Sequence, residues 1–153
     1  MHSICSGGIE LVIYAVFGFI FCSRPKFFYI LSVFTIDRGI GCLLKLKYAE
    51  PRPYMVNTEM VKAYQCPKDF GSPSLHSSAS MAFAIVLSFE NVHLLPFCLY
   101  WALIIPFSRI VMGAHSFDQV IFGSVLGLWT GFTCNFVLKK PILYHIEKVI
   151  QKA

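Results

Sequence analysis

Long apolar runs alternate with short polar segments along most of this chain. Each run approaches the roughly 20 residues that a helix needs to cross a bilayer. Proline and charge at Arg24-Pro25-Lys26 predict a tight turn between the first two runs. The pattern predicts an all-α, multi-span transmembrane bundle of about five spans, near residues 8–22, 27–44, 74–89, 94–105 (extending to 111) and 118–138. Residues 45–72 are predicted to form an extended polar loop.

The composition agrees with a membrane environment. Of 153 residues, 56% are hydrophobic and only 14% are charged, against about 25% charged in an ordinary soluble domain. The length allows one membrane-embedded domain, residues 1–153, and no second folded domain. The formal charge of +5 is small and scattered, which argues against nucleic acid as a partner. No cysteine or histidine spacing typical of a metal site occurs, so we predict no metal and no cofactor.

The distribution of basic residues predicts the orientation of the bundle. Short loops rich in lysine and arginine stay in the cytoplasm. If Lys45, Arg52 and Arg109 are set aside as functional, the side of the polar loop retains only Lys47, Lys62 and Lys68. The opposite side carries six basic residues: Arg24, Lys26, Lys139, Lys140, Lys148 and Lys152. The polar loop is therefore expected to face the lumen or the cell exterior. This places Met1 outside without a cleavable signal peptide, so we expect either a missing first span or a first segment that lies on the membrane.

Two polar blocks flank the polar loop. Lys45 and Arg52 stand where the second span meets it, and a compact charge beside a planar fork of donors suits a dianionic phosphate. At the far end, Pro73 is predicted at the first helical position, with a serine cap before it. The free amides of that helix end would then form an anion cradle: Ser74, Leu75 and His76. Alone, each block would indicate only headgroup anchoring or an ordinary capped helix.

A third block follows the fourth span. Arg109 lies six residues before His115, too far for one helical face, so a bend near Pro106 or Gly113 must bring them to one pocket. Two further candidates follow the histidine: Asp118 and Gln119. All three blocks fall on the same predicted side of the membrane. Together they favour a phosphate site with His115 as nucleophile.

The blocks resemble the three-part signature of the type 2 phosphatidic acid phosphatase and vanadium haloperoxidase superfamily: K-x6-RP, PSGH and SR-x5-H-x3-D. The resemblance covers residues 45–128. It implies a six-helix core and metal-independent hydrolysis through a phosphohistidine, on the non-cytoplasmic side of the endoplasmic reticulum or plasma membrane. It also implies that His115 attacks phosphorus and that His76 protonates the leaving oxygen and later activates water. Four side chains would hold the phosphate oxygens: Lys45, Arg52, Ser74 and Arg109.

The chain departs from this signature at two positions. Leu75 replaces the glycine of PSGH, so its amide survives but its side chain would crowd the phosphate if it pointed inward. Gln119 replaces the final aspartate, with Asp118 one residue earlier. A glutamine can orient His115, but it stabilises a charged imidazole less than a carboxylate does.

The favoured substrate is a lipid phosphate such as phosphatidic acid, because a pocket between short helices at the membrane edge admits headgroups laterally. A sugar phosphatase is an alternative, since Arg52-Pro53-Tyr54 resembles the glucose-6-phosphatase branch. Leu75 and Gln119 motivate a second alternative, a catalytically impaired scaffold relative. A channel or transporter is indicated only by Asp37-Arg38, two charged residues within a predicted span. We expect these two side chains to pair with each other or with a neighbouring helix.

Two features of the last helical region carry structural predictions. Glycines recur every fourth residue, at Gly123, Gly127 and Gly131, which allows close contact with another helix of the bundle. Residues 139–152 are predicted to form an amphipathic segment on the cytoplasmic surface, with one side resting on anionic lipid: Ile142, Ile146, Val149 and Ile150.

Overall fold

The computed structural model describes Val12, Val16, Phe19, Ile20, residues 23–57, Glu59, Val61, Ala63 and residues 68–151. This part of the chain contains helices and no strand, which confirms the predicted all-α class. The helices are α1 (Arg24–Tyr48), α2 (Pro53–Val56), α3 (Leu75–Glu90), α4 (Leu95–Val111), α5 (Phe117–Thr133) and α6 (Lys139–Ile150). A 3-10 turn, Val92–Leu94, precedes α4, and a π-helical segment, Cys134–Leu138, joins α5 to α6.

Three helical stretches are long and apolar enough to cross a membrane: Arg24–Val56, Val92–Val111 and Phe117–Ile150. They correspond to the second, fourth and fifth predicted spans. The third predicted span is α3, which is shorter at 16 residues. The first predicted span, residues 8–22, lies largely outside the described residues.

The predicted turn at Arg24-Pro25-Lys26 is wrong, because these residues form the first turn of α1. Ser23 is the N-cap of this helix, and a proline occupies one of its first two positions. Amides in the first turn have no partner within the helix, so a proline there removes no hydrogen bond.

Helix α3 is the centre of the bundle and packs against α1, α4 and α5. Its contact with α5 is close because Gly123, Gly127 and Gly131 face it. A Cβ atom at Gly127 would overlap the backbone oxygen of Ser78, and one at Gly123 would overlap that of Ser74. The predicted role of this glycine series, close helix contact within the bundle, is confirmed.

A buried carboxylate links α1 to α3 in the middle of the bundle. Asp37 is fully buried, and Ser78 Oγ donates a hydrogen bond to its Oδ1 over 2.6 Å. The expectation that this acid pairs with a neighbouring helix is confirmed. The contact fixes the register of the two helices that carry Lys45 and His76.

An ion cluster closes the end of the bundle where α3 stops. Lys26 contacts Glu90 at 2.8 Å, and Lys139 contacts the other oxygen of the same carboxylate. Helix α6 then folds back on α1, and Ile142 and Ile146 pack against the core. The segment is helical as predicted, but two of the residues expected to rest on lipid, Ile142 and Ile146, pack against protein.

Candidate functional site

The two cations of the first block lie at the C-terminal end of α1 and just beyond it. Lys45 is in the last turn of α1 and Arg52 is the N-cap of α2, and both are buried, with 7% and 4% of their surface exposed. Between them Ala49 adopts a left-handed conformation with φ of 48°, and its amide donates to Lys45 O. This reversal ends α1 and turns Arg52 back toward Lys45.

An acid that the sequence analysis did not single out joins these cations. Asp69 Oδ2 accepts a hydrogen bond from Lys45 Nζ over 2.8 Å, and its Oδ1 accepts one from Arg52 Nη2 over 2.8 Å. Arg52 Nε also donates to Asp69 O, and Lys45 Nζ donates to the backbone oxygen of Phe70. The two cations therefore share one carboxylate.

The remaining nitrogen of Arg52 reaches the third block. Arg52 Nη1 donates to Ala114 O at 2.8 Å and lies 3.0 Å from His115 Nε2. A guanidinium has only donors, so Nε2 must be the accepting nitrogen. The lone pair of His115 therefore faces the cations.

A reversal at Gly113 places His115 there. Gly113 has φ of 65°, its amide donates to Ile110 O, and the Ala114 amide donates to Arg109 O. This is a Schellman ending of α4, which needs a left-handed residue and so favours glycine. Of the two predicted bends, the one at Gly113 is confirmed, whereas α4 continues through Pro106.

The backbone of Arg109 holds this loop in place. Its carbonyl oxygen accepts from the amides of Ala114 and His115, and its Nε donates to Ser108 Oγ at 3.2 Å. The arginine side chain is half-buried. The backbone of this residue therefore holds the loop on which the histidine stands.

The environment of His115 keeps its imidazole neutral. Burial is the largest cause and lowers the pKa of His115 from 6.5 to about 3. Neighbouring charges act in the same direction: Arg52, Lys45 and His76. The side chain of Gln119 acts in the opposite direction. His76, in the first turn of α3, is therefore near enough for its charge to act on His115.

The start of α3 differs from the predicted anion cradle. The N-cap is Ser74, and Pro73 precedes the helix instead of occupying its first position. Ser74 is fully buried, its amide donates to Gln119 O at 3.0 Å, and its Oγ accepts from Ser77 Oγ. The prediction of a free Ser74 amide is wrong, because that amide ties α3 to α5.

The side chain of Leu75 points toward α1. A Cβ atom at Gly41 would overlap Leu75 Cδ2, so the leucine tip fills the space left by that glycine. Gly41 lies one turn before Lys45 on the same face of α1. Leu75 therefore packs one turn deeper in the bundle than the cation pair.

Gln119 and Asp118 have different surroundings at the start of α5. Gln119 forms a capping box with Ser116: its Oε1 accepts from the Ser116 amide, and its own amide donates to Ser116 Oγ. Gln119 Nε2 donates to Pro51 O at 2.9 Å. Asp118 lies in the same helical turn but is exposed. The structure brings Gln119, and not Asp118, into the pocket.

Hydrogen bonds to backbone oxygens hold the three blocks together. The Gly71 amide donates to Glu50 O over 2.7 Å, the Ser74 amide donates to Gln119 O, and Gln119 Nε2 donates to Pro51 O. The cations, the histidines and the start of α3 therefore meet at one end of the bundle. Within the part of the chain that the structure describes, no three His, Cys, Asp or Glu side chains are grouped as metal ligands.

Comparisons with known proteins match this chain to a protein family and to a solved structure. Residues 12–141 match the model of the PAP2 superfamily. A solved structure, the transmembrane PAP2 type phosphatidylglycerolphosphate phosphatase from Bacillus subtilis, is similar with a TM-score of 0.68 at 23% sequence identity. The match covers 89% of this chain and 71% of that chain. No curated protein matches this chain.

Proposed function

This chain belongs to the PAP2 superfamily, and on that premise we propose that it is an integral-membrane phosphatase that hydrolyses a phosphorylated lipid. One observation carries the proposal. His115 Nε2, the accepting nitrogen of a buried neutral imidazole, lies 3.0 Å from Arg52 in a pocket that also holds Lys45. A nucleophilic lone pair next to fixed cations suits attack on a phosphate monoester.

In the proposed reaction, His115 Nε2 forms a bond to phosphorus while the bond from phosphorus to the leaving oxygen breaks. His76 supplies a proton to that oxygen, and then takes one from the water that hydrolyses the phosphohistidine. Lys45 and Arg52 balance the charge on the phosphate oxygens, with Arg109 and Ser74 as further contacts. Because the pKa of His115 is about 3, its imidazole needs no deprotonation before it attacks at neutral pH.

The surroundings of the site favour a lipid as the substrate. Large apolar side chains stand exposed on the helix ends that bear the site: Leu46 (71%), Val111 (68%) and Phe117 (64%). In a membrane, such side chains contact acyl chains. A lipid headgroup could then enter the pocket from the side while its tails stay in the bilayer, which a free sugar phosphate does not require.

Purified protein in detergent, with a chelator present, tests the proposal. Phosphate release from phosphatidic acid is expected to exceed release from glucose 6-phosphate, and His115→Ala should abolish it. His93→Ala is the matched control, because His93 is exposed in the 3-10 turn at the other end of α3. Loss of activity in both variants, or in neither, would contradict the assignment.

The scaffold alternative predicts a different result. A folded protein that binds vanadate but releases no phosphate from any ester would favour it over the enzyme. Rapid quenching in base should trap the phosphoryl group on wild-type protein and not on His115→Ala, since a phosphohistidine survives base and is lost in acid.

We also propose that the site faces the non-cytoplasmic side, as the basic residues at the other end of the bundle indicate. A glycosylation acceptor inserted near Glu59, in the loop before Asp69, should be modified in microsomes. An unmodified acceptor there, with modification of one placed at the C-terminal end of α6, would reverse the orientation.

A further inference from the structure

The carboxylate of Asp69 lies between the two cations that a phosphate would need. Each of its oxygens is 2.8 Å from one of them, Oδ2 from Lys45 Nζ and Oδ1 from Arg52 Nη2. Two oxygens of a phosphate group would use the same two donors. A substrate phosphate and this carboxylate therefore compete for one position.

Most of the other donors of the cations also have partners. Arg52 uses Nε on Asp69 O and Nη1 on Ala114 O and His115 Nε2, and Lys45 also donates to Phe70 O. The pocket thus satisfies most of its own charge. A phosphate that contacts both cations at these positions must replace the carboxylate of Asp69.

We propose, on the basis of the proposed function, that Asp69 is an internal anion that every phosphate ligand must displace. Substrate and product therefore both bind more weakly than they would if Lys45 and Arg52 had no carboxylate partner. Competition by the Asp69 carboxylate limits how long the product stays bound. Inorganic phosphate meets the same cations as the substrate, and the returning carboxylate helps to expel it.

The carboxylate of Asp69 can leave the cations by turning toward solvent. The side chain of Asp69 is 35% exposed, whereas those of Lys45 and Arg52 are 8% and 5% exposed. Its neighbours Lys68 and Phe70 are exposed. Rotation of one side chain therefore moves the carboxylate into water while the helices that hold the cations stay in place.

A competing role for Asp69 predicts the opposite sign. If the acid only positions Lys45 and Arg52, then removing its charge should disorder them and weaken phosphate binding. If it occupies the phosphate position, removing its charge should strengthen binding. The direction of the change in affinity therefore decides between the two roles.

The test is calorimetric binding of inorganic phosphate to the full chain in detergent, comparing wild type with Asp69→Asn. We expect affinity to rise about tenfold, the scale of a charge-assisted contact that is partly screened by water. Glu59→Gln is the matched control, since it removes the same charge from an exposed position in the same loop. Equal or weaker binding by Asp69→Asn, or an equal gain in Glu59→Gln, would overturn the proposal.

A second variant tests the proposal if Asp69→Asn folds poorly. In Asp69→Ala the carboxylate position is empty, so added acetate should compete with phosphate much more strongly than it does in wild type. Equal competition in the two proteins would overturn the proposal. These readouts do not depend on turnover: tighter binding without hydrolysis would refute the proposed function alone, and hydrolysis without tighter binding would refute this inference alone.

Discussion

The contact between α3 and α5 should be the most sensitive point of the bundle, and alanine substitutions along the glycine series measure this. A Cβ at Gly123 would overlap Ser74 O and lie 3.0 Å from Ser74 C. A Cβ at Gly127 would overlap Ser78 O. Both obstacles are backbone atoms, which cannot rotate away. At Gly131 the nearest atom is Ile85 Cβ at 2.9 Å, which is a less severe overlap than at the other two glycines.

The expected magnitudes follow from two opposing effects. Overpacking costs about 1–3 kcal/mol, while glycine to alanine in a helix recovers roughly 1 kcal/mol. Gly123→Ala and Gly127→Ala should therefore lower the free energy of unfolding by up to about 2 kcal/mol, and Gly131→Ala by less. Gly39→Ala is the matched control: it lies in α1 with nothing within 4 Å, so it should be neutral or stabilising.

Activity should separate the members of the series further. Ser74 caps α3 beside the histidines, so Gly123→Ala displaces the pocket itself, by about 1 Å, and a shift of that size can cost roughly 100-fold in rate. Gly127→Ala acts one turn away and should lose stability more than rate. Unfolding in mixed micelles and phosphate release give the two readouts. If Gly123→Ala matched Gly39→Ala in both, the close contact would not determine the geometry of the site.

Three further predictions concern single residues of the pocket. Leu75→Gly should not raise the rate of phosphate release, because the tip of the leucine side chain lies against Gly41. The substitution should instead lower the free energy of unfolding by about 1–3 kcal/mol. A gain in rate would show that the side chain obstructs the phosphate. Gln119→Ala should lose about 1–2 kcal/mol with its capping box to Ser116, whereas Asp118→Ala, at an exposed neighbour, should not. Because the pKa of His115 is lowered in the folded protein, the unfolded chain binds a proton below pH 6.5 and the folded chain does not. The free energy of unfolding should therefore fall by about 1.4 kcal/mol per pH unit from pH 6.5 to 4.5. His115→Asn should remove this part of the pH dependence, and an unchanged slope would contradict the burial of a neutral imidazole.

Local patterns in the sequence were sufficient for much of this architecture. Apolar run lengths located α1, α3, α4 and α5, and Gly113 was recognised as one of two possible bends before His115. The four-residue glycine period predicted a close helix contact. Each of these follows from short-range chemistry: the length needed to cross a bilayer, a left-handed backbone, or the absence of a Cβ.

Partners distant in sequence were not predictable in the same way. Asp69 lies 24 residues from Lys45, and no spacing rule links an acid in a polar loop to a cation at a helix end. The direction of the Leu75 side chain depends on Gly41, and only the packing of the helices brings these two residues together. The capping box was predictable, because Ser116 with Gln119 three residues later is a recognised helix-start signal.

The internal anion also explains how a pocket with two buried cations can fold empty, and it implies a trade between stability and affinity. A buried ion pair that loses one partner typically costs about 3–5 kcal/mol, and less where water reaches it as at Asp69. Asp69→Asn should therefore unfold at a lower temperature than wild type without ligand. Tight-binding ligands raise apparent stability in proportion to the logarithm of their concentration over Kd.

Phosphate should consequently stabilise Asp69→Asn more than wild type, so that the gap between the two melting temperatures narrows as phosphate is added. Glu59→Gln, which removes an exposed charge, should track wild type at every concentration. A gap that stays constant would mean that phosphate does not restore the charge lost with Asp69. The carboxylate and the phosphate would then occupy different positions, and the cations would have to be neutralised in the substrate complex by a group other than the ligand.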